Sequence, residues 1–219
     1  MTAPIAPQFE PIEDLAGLSK GRVGQVRFVD VPEWRFLAVD GAGAPGGSDY
    51  QAAFGALYPV AFALHFALKR RGIQAPIGRL EGLYWRDVAA EAVPAGRNGS
   101  SRPDWNSWCW RLMLPVPAAA TDAEVTAAII ETSAKKGEAA VANLAVLRSR
   151  EGPCAQTLHV GPYGEEQPTL ERLHAAIARS GLRPRGIHHE IYLSDPARTP
   201  AARIRTIIRQ PVEPAEPAA

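Results

Sequence analysis

Hydrophobic and polar positions along the chain follow two rhythms that alternate in a fixed order. Residues 36–40, Phe-Leu-Ala-Val-Asp, read as a strand entering a glycine-rich turn at 41–47. Ser48 or Asp49 then caps a helix that runs to about Arg71. In that helix Phe54, Leu57, Tyr58, Ala61, Leu64, Phe66 and Leu68 recur near the 3.6-residue period, and Pro59 is expected to bend or split it. Two strands follow, at 77–85 and 107–114, separated by a loop at 91–106 rich in Gly, Ser, Asn and Arg. The order is strand, helix, strand, strand.

A connecting helix carries Val125, Ile129 and Ile130 behind a cap at Thr121 or Asp122, with Glu124 in the third position of a capping box. The order then repeats. Residues 156–160 are a strand, 161–164 a turn, and 169–181 a helix with Leu170, Leu173 and Ile177 inward; strands at 187–193 and 203–209 close the pass. Val39-Asp40-Gly41 aligns with His159-Val160-Gly161, and 80–85 aligns loosely with 189–193. The pattern is an internal duplication with halves at about 35–115 and 121–212. It predicts an α+β fold in which two strand-helix-strand-strand modules share an antiparallel sheet, with helices on one face and a central ligand cleft. Residues 1–34 are expected to be an N-terminal extension and 213–219 a flexible tail, both outside the core. The proline spacing from Pro211 to Pro217 argues against sheet pairing there.

Composition narrows the function classes. The 219 residues are 46% hydrophobic with a formal net charge of +1, so the basic footprint of a nucleic-acid binder is missing. Cys109 and Cys154 lie in strand-like apolar stretches and read as buried free thiols, which fits a reducing compartment. The N-terminal residues lack a leader pattern, and no apolar stretch approaches the ~20 residues of a membrane span. A cytoplasmic protein without a membrane partner is expected. Monomer and dimer both remain open.

The candidate chemistry centres on Glu190. Alternation along the strand groups His188, Glu190 and Tyr192 on one face and His189, Ile191 and Leu193 on the other. Ile191 and Leu193 suit a helix-covered side, which turns Glu190 and Tyr192 toward the cleft. Parity leaves two readings of Glu190 open, a solvated surface carboxylate and a cleft acid. In the first half Glu81 groups with Leu83 and Trp85, and Trp108 groups with Trp110; Tyr50 and Tyr163 extend this candidate aromatic wall. Tryptophans at alternating strand positions also serve as core. A carboxylate among rings attracts a cationic ligand or becomes a general base toward water. His188 and His189 are adjacent, so they face opposite ways and make a poor metal pair. The 41–47 turn lacks the spacing of a phosphate loop. No cofactor is expected.

Together, Asp40-Gly41-Ala42-Gly43, the run 80–85, the run 156–163, the run 188–196 and the closing 205–212 resemble the stand-alone GyrI-like small-molecule-binding family. The resemblance covers about residues 30–212. It implies a relative of the ligand domains of multidrug-sensing regulators, without their helix-turn-helix arm, that takes a small aromatic or electrophilic ligand. Some stand-alone members of that family are hydrolases that open the cyclopropane ring of DNA-alkylating natural products. By that resemblance Glu190 would orient or deprotonate water, while Tyr192 and Trp85 would position the flat substrate. Ala44-Pro45-Gly46 and Tyr84-Trp85 stand where the family often has Asp-Pro-Asn and a Trp-Trp pair. The alternative reading is a protein-interaction module acting on DNA gyrase.

Overall fold

The first predicted strand is far longer than its apolar centre, because Val29, Val31 and the run Phe36 to Val39 all find buried neighbours. The computed structural model describes residues 7–86 and 108–215, so the loop predicted at 91–106 lies outside the described residues. Along the chain run Glu10–Pro11 (β1), Leu15–Leu18 (α1), Arg27–Ala42 (β2), Ser48–Arg70 (α2), Glu81–Arg86 (β3) and Trp108–Pro115 (β4). Asp122–Lys136 (α3), Leu144–Val160 (β5), Gln167–Arg179 (α4), Leu182–Pro184 (β6), His189–Tyr192 (β7) and Arg205–Pro214 (β8) complete them. The class is α+β with antiparallel pairing, and the predicted order appears twice, as β2-α2-β3-β4 and β5-α4-β7-β8. The chain forms two compact units, each from separated stretches. One comprises Met1–Glu33, Leu83–Asp104 and Arg150–Ala219; the other comprises Trp34–Gly82 and Trp105–Ser149.

In the unit that begins at Trp34, β2 and β4 pair antiparallel from Phe36 opposite Pro115 to Ala42 opposite Cys109. Asp40 faces Arg111 across the pair, and the guanidinium donates through Nε and Nη2 to both carboxylate oxygens at 2.6 and 2.7 Å. Trp110 lies over Gly41 so closely that a Cβ there would come within 2.2 Å of the indole. Helix α2 starts at Gly47 without a side-chain cap, so neither Ser48 nor Asp49 fills the expected role; Asp49 instead places negative charge in the first turn. Pro59 neither splits nor ends the helix. Ala53, Ala56, Leu57, Val60, Leu64 and Leu68 form its buried stripe, and it packs against α3. By length and composition α2 is long and apolar enough to cross a membrane, which corrects the expectation that no stretch approaches a span.

The capping box on α3 forms as predicted. Thr121 Oγ1 accepts from the Glu124 N–H at 3.2 Å, and the Glu124 carboxylate accepts from the Thr121 N–H at 2.9 Å. That backbone hydrogen bond, followed by the Arg71 guanidinium at 2.6 Å, holds the Glu124 carboxyl down at about 2.

In the other unit β8 is the organising strand. It pairs antiparallel with β5, β6 and β7. Helix α4 drives Leu170, Leu173 and Ile177 onto Ala155, Ile208 and Val212, while Leu158, Ile191 and Ile207 pack together separately. Ile207 and Ile208, adjacent in a strand, necessarily serve opposite faces. Two expectations about the chain ends are corrected here. Ile12, Leu18 and Val29 are core residues, and β1 pairs parallel with β2. At the other end β8 runs through Pro211, which lies opposite Cys154, and on to Pro214. Proline lacks the N–H but keeps its acceptor, and the Pro211 carbonyl accepts from the Arg185 N–H at 2.8 Å. Cys154 is a buried thiol, and burial pushes its pKa up; Cys109, also outside any disulfide, is only half-buried.

Candidate functional site

Strand β7 is four residues long and is held between β3 and β8. Glu190 lies directly opposite Ile208 on β8, and Tyr192 lies opposite Thr206. Residues opposite each other in an antiparallel pair share a face. Ile208 belongs to the cluster under α4. The parity of His188, Glu190 and Tyr192 is therefore as read from the sequence, but the covered side is reversed: Glu190 shares the α4 face, and Ile191 lies on the other.

Glu190 is 1% exposed. Its Oε2 accepts from the Tyr192 hydroxyl at 2.8 Å, and its Oε1 lies 3.3 Å from His188 Nε2. The Tyr192 oxygen also lies 2.6 Å from the hydroxyl of Tyr84 on β3. A phenol has one proton. Because Tyr192 spends it on Glu190, Tyr84 is the donor in the second bond, and a directed chain runs Tyr84 to Tyr192 to Glu190. Tyr163 closes on Tyr192 edge-first, with centroids 5.7 Å apart and planes at 85°. His159 anchors that approach: its ring nitrogens lie 3.2 Å from Thr169 Oγ1 and 3.2 Å from the Pro162 carbonyl, beside Tyr163. On α4, burial and then the charge of His188 press the pKa of His174 downward.

The opposite face of β7 carries a second polar cluster. His189 Nδ1 lies 3.2 Å from Glu151 Oε1, and Arg209 donates to Glu151 Oε2 at 2.8 Å. Arg209 also donates to Gln156 Oε1 and to the Leu18 carbonyl, each at 2.9 Å. Burial alone would raise the Glu151 carboxyl, but His189 and Arg209 outweigh it and hold it at about 2. His189 keeps the parity of Ile191 but lies on the face away from α4, and it is buried among charges rather than in the expected apolar core.

The predicted site residues thus fall into two sets. Glu190, Tyr192, His188 and Tyr163 are brought together within one unit. Trp85 belongs to the same unit and is half-buried, but it alternates away from Tyr84, so the β3 residue that reaches Tyr192 is Tyr84. Trp108, Trp110, Tyr50 and Glu81 lie in the other unit. There Tyr50 meets Trp110 edge-first at 5.1 Å, Trp108 and Trp110 are buried, and Glu81 is a buried carboxylate. Tyr84 and the Glu151–Arg209 pair were missed in the sequence. Tyr84 had one available signal, its place in a run aligned with that of Tyr192. Among the described residues no group of three or more His, Cys, Asp or Glu side chains is placed to hold a metal ion.

The chain is similar to several known proteins. A family model for the GyrI-like small molecule binding domain matches residues 106–213. An uncharacterized conserved protein from Listeria innocua is 31% identical, with 86% of this chain and 92% of that chain covered at a TM-score of 0.75. A hydrolase from Listeria innocua is 30% identical over the same shares, at a TM-score of 0.70. The EcmrR C-terminal domain, 11% identical with 89% and 100% covered, shares the fold at a TM-score of 0.50. No curated protein matches.

Proposed function

The chain belongs to the GyrI-like small-molecule-binding family, and from that premise we propose that it takes flat, hydrophobic or cationic xenobiotics against the Glu190–Tyr192 face and hydrolyses electrophilic, cyclopropane-bearing ones. The observation that carries this reading is the buried Glu190 carboxylate, held by the Tyr192 hydroxyl and backed by His188. A carboxylate withdrawn from water is strongly attractive to a cation and an effective base. Tyr163 and Tyr192 supply ring surface for a flat ligand, each contact adding on the order of 1 kcal/mol. The 30% identity to a hydrolase supports the catalytic half.

In the proposed reaction a water gives its proton to Glu190 Oε2, the oxygen that faces the Tyr192 hydroxyl, as its own oxygen bonds to the cyclopropane carbon. The ring C–C bond breaks, and its electron pair flows into the conjugated carbonyl. That carbonyl oxygen takes the Tyr192 proton, and Tyr192 regains one from Glu190 across their 2.8 Å contact. The sum is addition of one water. During the exchange the Tyr84 hydroxyl donates to the developing Tyr192 oxyanion.

Two measurements test this. Calorimetric titration with the cationic dye rhodamine 6G should give saturable binding that weakens about tenfold or more in Glu190→Gln, as expected when a cation loses a desolvated partner; unchanged affinity would remove this site. Mass spectrometry of a cyclopropane-bearing alkylator should show the water adduct with the native chain and not with Glu190→Gln. Equal turnover by the variant would exclude Glu190 as the base.

A further inference from the structure

Glu190 has a neighbour of a type whose charge changes near neutral pH. His188 Nε2 lies 3.3 Å from Glu190 Oε1, with the imidazole side chain 16% exposed and the carboxylate side chain 1% exposed. A carboxylate oxygen only accepts, so Nε2 carries the hydrogen of this contact, and the nitrogen that gains or loses a proton is Nδ1. Protonation therefore leaves the contact in place and changes only its charge. The imidazole reaches solvent, so its proton can exchange, while Glu190 is withdrawn from water.

The groups around His188 narrow the source of any charge change. Glu190 and Tyr192 share its face of β7, Tyr84 reaches in from β3, Tyr163 from the turn after β5, and His174 from α4. Thr206, Ile208 and Gln210, the alternate residues of β8 on this face, carry no charge. Phenols hold their protons throughout about pH 5–8, the range in which imidazole changes charge. His174 has its pKa pressed down first by burial and then by His188, so a proton on His188 disfavours a second one beside it.

Taking Glu190 as the ligand-facing carboxylate of the function proposed above, we propose that His188 sets the charge specificity of this site. Neutral, it leaves Glu190 a lone negative charge that takes flat cations; protonated, it pairs with Glu190 and turns the site toward uncharged flat ligands. A lone carboxylate attracts a cation across the width of a ring. A carboxylate and an imidazolium in contact make a dipole whose field falls off faster, and an incoming cation then meets a like charge in a site that excludes water. An uncharged ring meets Tyr163 and Tyr192 in either state. Binding a cation thus expels the His188 proton, and cation affinity rises with pH.

Calorimetric titration of the full chain with rhodamine 6G, whose charge is fixed over this range, tests the inference from about pH 5.5 to about pH 8. Native affinity should climb by up to about tenfold per pH unit on the acidic side and then level, the slope of one linked proton. In two buffers of different ionisation enthalpy the native chain should release close to one proton per dye near the acidic limit. His188→Gln keeps a donor for Oε1 but cannot titrate, so it should bind the dye as tightly at the acidic limit as at the basic one. His174→Gln should keep the native slope. The KM of an uncharged cyclopropane-bearing substrate should stay level over the same range. A flat native profile, a slope that persists in His188→Gln or disappears in His174→Gln, or a KM that follows the dye's slope would overturn the inference while leaving Glu190 as the site. Absence of dye binding at every pH would overturn the site itself and this inference with it.

Discussion

Tyr84 and Tyr192 meet hydroxyl to hydroxyl at 2.6 Å across 108 positions of sequence. The proton count at Tyr192, which donates to Glu190 at 2.8 Å, makes Tyr84 the head of the chain of donors. The order of the hydrogen bonds gives each hydroxyl a different task, and they can be removed one at a time.

Tyr84→Phe keeps the ring and deletes only the first donor. Folding stability should fall by about 1 kcal/mol, the net worth of one hydrogen bond. Turnover of a cyclopropane-bearing substrate should fall about tenfold, because the Tyr192 oxyanion loses its stabilising donor. Rhodamine 6G affinity should move far less than in Glu190→Gln. Turnover at the native rate would show that Tyr84 supports the fold and not the reaction.

Glu151→Gln leaves Arg209 and His189 facing a neutral partner in the interior. Breaking one member of a buried ion pair costs about 3–5 kcal/mol, and urea unfolding at neutral pH should show a loss of that order. The pH dependence has a definite sign. The folded carboxyl sits at about 2, below its ordinary 4.5, so its contribution is fully present above about pH 4.5 and is lost as pH falls toward 2. The gap between native and variant midpoints should narrow across that window. A gap that stays constant down to pH 2.5 would contradict the pairing.

Gly41→Ala places a methyl against the rigid indole of Trp110, 2.2 Å from its nearest carbons. Overpacking of this kind costs about 1–3 kcal/mol, and the smaller entropic gain from replacing glycine, about 0.4–1 kcal/mol, does not offset it. The urea midpoint should drop accordingly, with a changed near-ultraviolet signal from Trp110. A midpoint at or above the native value would mean that the indole does not lie over Gly41.

Much of the fold was written in periodicity. The repeated strand-helix-strand-strand order and the Thr121–Glu124 capping box depend on spacing within a few residues, and local spacing survives into the structure. The same holds for the grouping of His188 with Glu190 and Tyr192, since alternation along a strand is a covalent property of the backbone. Even the limits of that reading are physical. Proline is expected to bend or split α2 and to bar sheet pairing at the end of the chain, yet Pro59 sits within a continuous helix anchored by its buried stripe. Pro211 stays in β8 by offering its carbonyl.

Tertiary structure alone decided which side of β7 the helix covers. Alternation fixes two faces but does not label them, and the label came from the register that sets Glu190 opposite Ile208 under α4. It also decided that Tyr84 is the β3 side chain that reaches Tyr192, and that Glu151 and Arg209 surround His189 on the reverse face. Each of these contacts joins residues far apart in sequence. Their energies depend on burial and on a partner's exact donor or acceptor, quantities that exist only once the strands are paired.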